Sequence, residues 1–205
     1  MKLYCAPGTI SVAVAVALEE ADLPHEQIRV DFATGEQTAA PYLKVNPKGR
    51  VPALVTDENT VLTEVGAILE YIAAQAPSAR LVPAGAQEAA HMRAVMYYLA
   101  STMHVAHAHK MRGPRWARLE SSFEDMRSKV TENMADAAGY VESHCLRGDF
   151  VLGATFSIAD AYLFAVCRWL EGDGVALGDF PAIAAFLDRM QARPSVVAVR
   201  ASGLI

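Results

Sequence analysis

The clearest periodic signal lies between residues 64 and 75. There Val65, Ile68, Leu69 and Ile72 recur at the i, i+3, i+4, i+7 spacing of one helical face. Residues 51–55 and 60–63 are short apolar runs on either side of Asp57-Glu58-Asn59, the pattern of a hairpin. Residues 2–5 and 27–32 read as two further strands, the second with Ile28 and Val30 on one face. The stretch from Ser11 to Ala21 is ambiguous, because Val12, Val14 and Val16 alternate as they would in a strand. We assign a helix: Ser11 can start it, its alanines favour it, and Asp22-Leu23-Pro24 stops it. With one short helix around 39–43, the predicted order is β-α-β-α-β-β-α.

Two prolines and a glycine (Pro77, Pro83, Gly85) interrupt the chain after that unit and mark a domain boundary. Nothing beyond it reads as a strand. Residues 87–110 form one long predicted helix, with Val95, Met96, Leu99 and Met103 on one side, ended by Arg112-Gly113-Pro114-Arg115. A second spans 117–145. Ser157 and Asp160 have the spacing of a capping box, with Phe156 placed to pack on Ala161 or Tyr162. The helix they start, 158–170, is apolar nearly all round and is expected at the centre of its domain. Helices at 180–193 and 195–202, separated at Pro194, close the chain. The organisation predicted is residues 1–76, a linker at 77–86, and an all-helical domain at 87–205.

Composition narrows the function. The 205 residues are 53% hydrophobic and 20% charged, as in a globular protein with a sizeable core. A net charge of −5 offers no basis for a nucleic-acid partner. No apolar run approaches the roughly 18 residues of a membrane span. Glu19, Glu20 and Asp22 do not fit a signal peptide. Cys5, Cys145 and Cys167 are odd in number and far apart, which suits a cytoplasmic location and argues against a disulfide scaffold or a zinc ribbon.

The chemistry concentrates at Asn46-Pro47-Lys48-Gly49-Arg50-Val51-Pro52 and at Thr63-Glu64-Val65. An X-Pro bond adopts the cis form at a cost of only about 0.5–1 kcal/mol. A cis bond at Val51-Pro52 turns the N–H and C=O of Val51 out of the sheet, where they can pair with an extended peptide. The helix that opens at Glu64 offers unpaired N–H groups and partial positive charge, a seat for a ligand carboxylate. Together the two stretches suit a small peptidic anion.

These motifs, with the opening Met1-Lys2-Leu3-Tyr4, Pro7-Gly8 and the late Phe156-Ser157-Ile158-Ala159-Asp160-Ala161, resemble the glutathione S-transferase superfamily, and most of all its bacterial beta-like branch. The resemblance runs over nearly the whole chain. It implies an α/β thioredoxin-like N-terminal domain that binds glutathione, an all-α C-terminal domain, and a homodimer. In such enzymes a hydrogen-bond donor at the end of the first strand favours the glutathione thiolate, which then attacks an electrophile or a disulfide. Val51 and Pro52 match the backbone clamp, and Glu64 the acid that receives the γ-glutamyl amine. Val65 stands where the family usually has a serine or another small residue, so its N–H remains and the hydroxyl is lost.

The donor departs from the family. Enzymes of the beta type carry a tyrosine where this chain has Cys5 and a cysteine where it has Ile10. Other branches of the superfamily place a serine directly after Pro-Gly, where this chain has Thr9, and Ser11 matches a beta-type neighbour of the sulfur. The resemblance thus implies Thr9 as first candidate and Ser11 as second, against the plainer readings of a turn residue and a helix cap. Cys5 reads as a buried strand residue. His104 matches a histidine that faces the active site in beta-type enzymes, and Tyr97, Ser101, Met103 and His104 are expected to line the electrophile pocket, with core packing the alternative for Tyr97 and Met103. His104, His107 and His109 are a weak metal pattern, since His109 lies off the shared face; no metal is expected.

The expected function is conjugation of glutathione to small apolar electrophiles, or reduction of disulfides or peroxides, in detoxification. The alternative is a glutathione-binding or scaffold module on the same fold with little turnover, which the missing tyrosine and cysteine and Val65 keep open.

Overall fold

The computed structural model describes residues 1–205. They form two compact units, one of residues 1–84 with 191–205, the other of residues 85–190.

The first unit is built on a four-stranded mixed sheet: β1 (Lys2–Cys5), β2 (Glu26–Arg29), β3 (Ala53–Val55) and β4 (Val61–Thr63), in the order β2-β1-β3-β4. β1 runs parallel to β2, Leu3 opposite Gln27, and antiparallel to β3, Leu3 opposite Leu54; β3 and β4 form the expected hairpin. Helices α1 (Ser11–Glu20), α2 (Ala40–Leu43) and α3 (Val65–Gln75) complete the βαβαββα order.

Helix α1 explains its ambiguous sequence. Every residue from Ser11 to Leu18 is buried, so no polar face exists to produce a helical stripe. Strand β2 ends at Arg29, short of residue 32. The Ala33 N–H donates to Asp31 Oδ1 at 2.8 Å and the Asp31 N–H to Glu36 Oε2 at 2.7 Å, so local side chains take the bonds a ladder would need.

The second unit is helical: α4 (Ala86–Tyr98), α5 (His104–Ala108), α6 (Glu120–Ser128), α7 (Val130–Tyr140), α8 (Ile158–Cys167) and α9 (Pro181–Gln191), whose last residue belongs to the first unit. The long helix expected over 87–110 is interrupted by a π-helical turn at Leu99–Met103, where Ser101 Oγ donates back to the Tyr97 carbonyl at 2.8 Å. The one expected over 117–145 is two helices meeting at Lys129, with a second π turn at Val141–Cys145.

The capping box at Ser157 and Asp160 is formed, and α8 is buried along its whole length. Asp160 is fully buried and accepts the Val151 N–H at 2.8 Å, the Ser157 N–H at 2.8 Å and Ser157 Oγ at 2.9 Å. Phe156 lies edge-on to Phe150, with ring centres 5.8 Å apart.

The closing helix α10 (Pro194–Ala201) is placed differently from the expectation. It packs on α1 in the first unit and is not part of the helical one. Arg193 meets Glu20 through two bonds of 2.8 and 2.7 Å, and Ser195 Oγ adds a third to the same carboxylate. A pairing across 173 residues leaves no trace in local sequence pattern.

Removing the Asp160 carboxylate strands two buried N–H groups. Asp160→Ala is expected to lower stability by about 3 kcal/mol, within the range for hydrogen bonds to a charged group plus a lost cap. Asp160→Asn, which still accepts through one oxygen, should cost less. Urea unfolding of the three proteins gives both values.

Candidate active site

In the first unit the predicted binding residues gather at one end of the sheet. The Arg50 carbonyl accepts two hydrogen bonds, from Tyr42 Oη at 2.6 Å and from Asn46 Nδ2 at 2.6 Å. Asn46 is buried, and its Oδ1 takes the Lys48 N–H at 3.1 Å while its own carbonyl takes the Gly49 N–H at 2.9 Å. Gly49 has a φ of 61°, and a Cβ there would meet the Gln37 carbonyl oxygen at 3.0 Å, so the turn requires glycine. Burial pushes the Tyr42 phenol up to about 12, which keeps its proton available for Arg50.

This bracing fixes the peptide just before Val51. The Val51-Pro52 bond is cis, and β3 starts only at Ala53. The N–H and C=O of half-buried Val51 make no hydrogen bond within the chain. A partly buried main chain with an unused donor and acceptor is the edge that an extended peptide can pair with.

Glu64 lies at the start of α3, with an exposed side chain and backbone angles of φ 70°, ψ 121°. A residue with a side chain adopts this region at a cost of order 1–3 kcal/mol, and such outliers cluster at functional sites. The N–H groups of Val65, Gly66 and Ala67 have no partner within the chain. Lys48 Nζ donates to Glu64 Oε1 at 2.5 Å and to Thr63 Oγ1 at 2.8 Å, so the carboxylate already holds an ammonium group.

The loop after β1 carries the donor candidates. Thr9 Oγ1 donates to the Ala6 carbonyl at 2.7 Å, lies 3.0 Å from Ser11 Oγ, and accepts the Ser11 N–H at 3.3 Å. Thr9 is half-buried, whereas Ser11 is wholly buried as the first residue of α1 and offers no surface to a ligand. Ser11 does not cap α1; Ile10 occupies that position. The Ile10 N–H makes no hydrogen bond within the chain. Cys5 is buried in β1 with its thiol against the Ile28 carbonyl, and burial raises its pKa, so it is a packed strand residue.

Residues expected to form the electrophile pocket belong to the second unit and do not share one environment. Met103 is fully buried, which corrects its assignment: it is core. Tyr97 and Ser101 are exposed, and half-buried His104 lies against Trp169, ring centres 5.0 Å apart. The other histidines have separate partners. His107 Nδ1 meets Asp173 Oδ2 at 2.6 Å and stacks on Trp169, and His109 is edge-on to Trp116. Asp173 is fully buried and also takes Lys110 Nζ at 3.0 Å. No three His, Cys, Asp or Glu side chains come together as a potential metal group.

Sequence reasoning missed Tyr42 and Asn46 as the brace, Lys48 as the partner of Glu64, and the main-chain donor at Ile10. The Asn-Pro-Lys-Gly turn held a signal for Asn46 alone, since an asparagine in a turn commonly binds main chain nearby.

Comparison with known proteins agrees with this geometry. The model of the glutathione S-transferase N-terminal domain matches residues 1–74, and that of the glutathione S-transferase C-terminal domain residues 123–189. Glutathione S-transferase GstA of Escherichia coli O157:H7 is 32% identical over 208 residues, covering 100% of both chains. Among solved structures, a glutathione transferase homologue from Sulfitobacter with bound glutathione is 61% identical, covers 100% of this chain and 98% of its own, and superposes with a TM-score of 0.99. A beta-class glutathione S-transferase of Sphingomonas chungbukensis is 33% identical with a TM-score of 0.87, covering 100% of both chains. The chain belongs to the glutathione S-transferase family.

Two measurements check the site as described. Burial raises all three thiols, Cys145 to about 11, so at neutral pH each is protonated as well as shielded. Iodoacetamide should label none of them in the native protein within the time that labels all three in urea. Glu64→Gly should relieve the positive-φ strain and raise stability in urea unfolding by about 1 kcal/mol, the 1–3 kcal/mol of strain less the entropy cost of glycine.

Proposed function

We propose that this chain binds glutathione on the first unit and activates its thiol for attack on small apolar electrophiles or for thiol and peroxide reduction. The observation that carries the reading is the unused N–H and C=O of Val51, the N–H held in place by the bonds to the Arg50 carbonyl of the same peptide unit. The tripeptide main chain pairs with Val51 beside Pro52. Its γ-glutamyl amine takes Glu64 in exchange for Lys48, and its γ-glutamyl carboxylate meets the free N–H groups at Val65. The missing hydroxyl at Val65 weakens this end by about 0.5–1.5 kcal/mol, one neutral hydrogen bond.

The sulfur is assigned to Thr9. Its hydroxyl has one proton, now given to the Ala6 carbonyl, which must turn toward the sulfur as the thiolate forms. The Ile10 N–H is a second donor at the start of α1 and needs no rearrangement. Ser11, buried beside Thr9, orients the threonine hydroxyl. The second substrate is assigned to the accessible members of the expected set, Tyr97, Ser101 and His104. A homodimer, a cytoplasmic location and a detoxifying role complete the reading. A catalytically poor binding module is the competing one, favoured by the commitment of the Thr9 proton to Ala6.

Conjugation of glutathione to an activated aryl halide separates the two. Thr9→Ala should lower kcat/KM about tenfold, the loss of one hydrogen bond to a charged group, and no further, because the Ile10 N–H remains. Thr9→Ser should keep most activity and Ser11→Ala should lose less than Thr9→Ala. Equal turnover by all four proteins overturns the donor assignment. No turnover, with a melting temperature raised by glutathione, favours the binding module.

A further inference from the structure

The last helix and the turn after it reach back to the loop that carries Thr9. α10 stops at a left-handed Gly203, φ 74°, where the Gly203 N–H donates to the Arg200 carbonyl at 2.9 Å and the Leu204 N–H to the Val199 carbonyl at 3.3 Å. This turn buries the Leu204 side chain completely. It also aims the Leu204 carbonyl at the loop after β1, where it accepts the Gly8 N–H at 2.9 Å. Gly8 immediately precedes Thr9, is exposed and has a φ of 69°, a left-handed turn that glycine adopts without strain.

The tail is itself fastened at two points. Arg193 and Ser195, flanking the start of α10, hold the Glu20 carboxylate at the far end of α1. Beyond the other end, Arg29 of β2 donates through Nη2 to the Ser202 carbonyl at 2.5 Å, and Ser202 Oγ reaches Gln27 Oε1 at 3.2 Å. A carbonyl on a mobile tail would add little to a loop. One on a tail braced to both α1 and β2 defines a position for Gly8, and through one peptide unit for Thr9.

We propose that Leu204 is a positioning residue for thiol activation: its main-chain carbonyl, presented by α10, sets the place of the Thr9 hydroxyl and the Ile10 N–H. The inference rests on the donor assignment above. A donor that must release Ala6 and find a sulfur depends on sub-ångström placement, and a displacement of about 1 Å costs on the order of a hundredfold.

The test reads the sulfur directly. Thiolate absorbance of enzyme-bound glutathione is followed against pH, and affinity for S-methylglutathione, whose sulfur cannot ionise, reports the tripeptide groove alone. In the chain lacking residues 204 and 205, the thiolate midpoint should rise by about one pH unit, a tenfold loss of thiolate below the midpoint. kcat should fall about tenfold with it. S-methylglutathione affinity should stay within about twofold, because Val51 and Glu64 are untouched. Arg29→Gln cuts the tie at Ser202 while Leu204 remains; it should give a smaller shift of the same sign and carries the test if the deletion does not fold. An unchanged midpoint in the folded variants, or affinity for S-methylglutathione lost in parallel with kcat, overturns the proposal. Thr9→Ala run alongside keeps the two claims apart. A midpoint moved by the deletion and not by Thr9→Ala removes Thr9 and keeps the anchor for the Ile10 N–H. The reverse removes the anchor alone.

Discussion

The paired hydrogen bonds into the Arg50 carbonyl are the constraint on which the binding edge depends. A carbonyl oxygen has two lone pairs, and here Tyr42 takes one and Asn46 the other. Both donors are buried, so neither bond competes freely with water. The peptide ahead of Val51 cannot rotate without leaving three polar groups unpaired in the interior. The Val51 N–H, which lies in that peptide plane, is therefore fixed in direction before any ligand arrives, and binding need not spend free energy on ordering it.

The polar groups fall into two kinds. Tyr42, Asn46, Asp160 and Asp173 are buried, fully bonded and structural. Glu64, Lys48 and Thr9 are exposed or half-buried, and each has a bond that a ligand can replace: Glu64 holds a lysine, and Thr9 holds its own loop. The positive φ at Glu64 belongs with them. A backbone angle that costs free energy persists beside a displaceable ion pair, at a helix start with three unpaired N–H groups.

The sequence was legible where a signal is local. The stripe through Val65, Ile68, Leu69 and Ile72, the hairpin and the Ser157–Asp160 box all describe neighbours within a few residues. Val51, Pro52 and Glu64 were singled out by the turn, the helix start and the family resemblance together, since an acid at a helix start is by itself commonplace. Three things were hidden, each for a physical reason. Helix α1 has no exposed face, so its hydrophobic period vanished. Met103 carried the same apolar stripe as its neighbours, which left pocket and core open as readings until its full burial decided for the core. The docking of α10 on α1 joins Glu20, on α1, to Arg193, just ahead of α10, and neither residue alone points to the other.

Helix α1 has one more property. At about 1.5 Å per residue its ten residues form a rod about 15 Å long, with the Thr9 loop at one tip and the Glu20 carboxylate at the other. Between those tips Val12 to Leu18 are buried and aliphatic, a packing that resists sliding because every displacement opens a void on one side and a clash on the other. The rod is thus pinned in translation and in rotation. The distance from the Thr9 loop to the end that Glu20 ties to Arg193 and Ser195 is therefore set by the packing of a single helix.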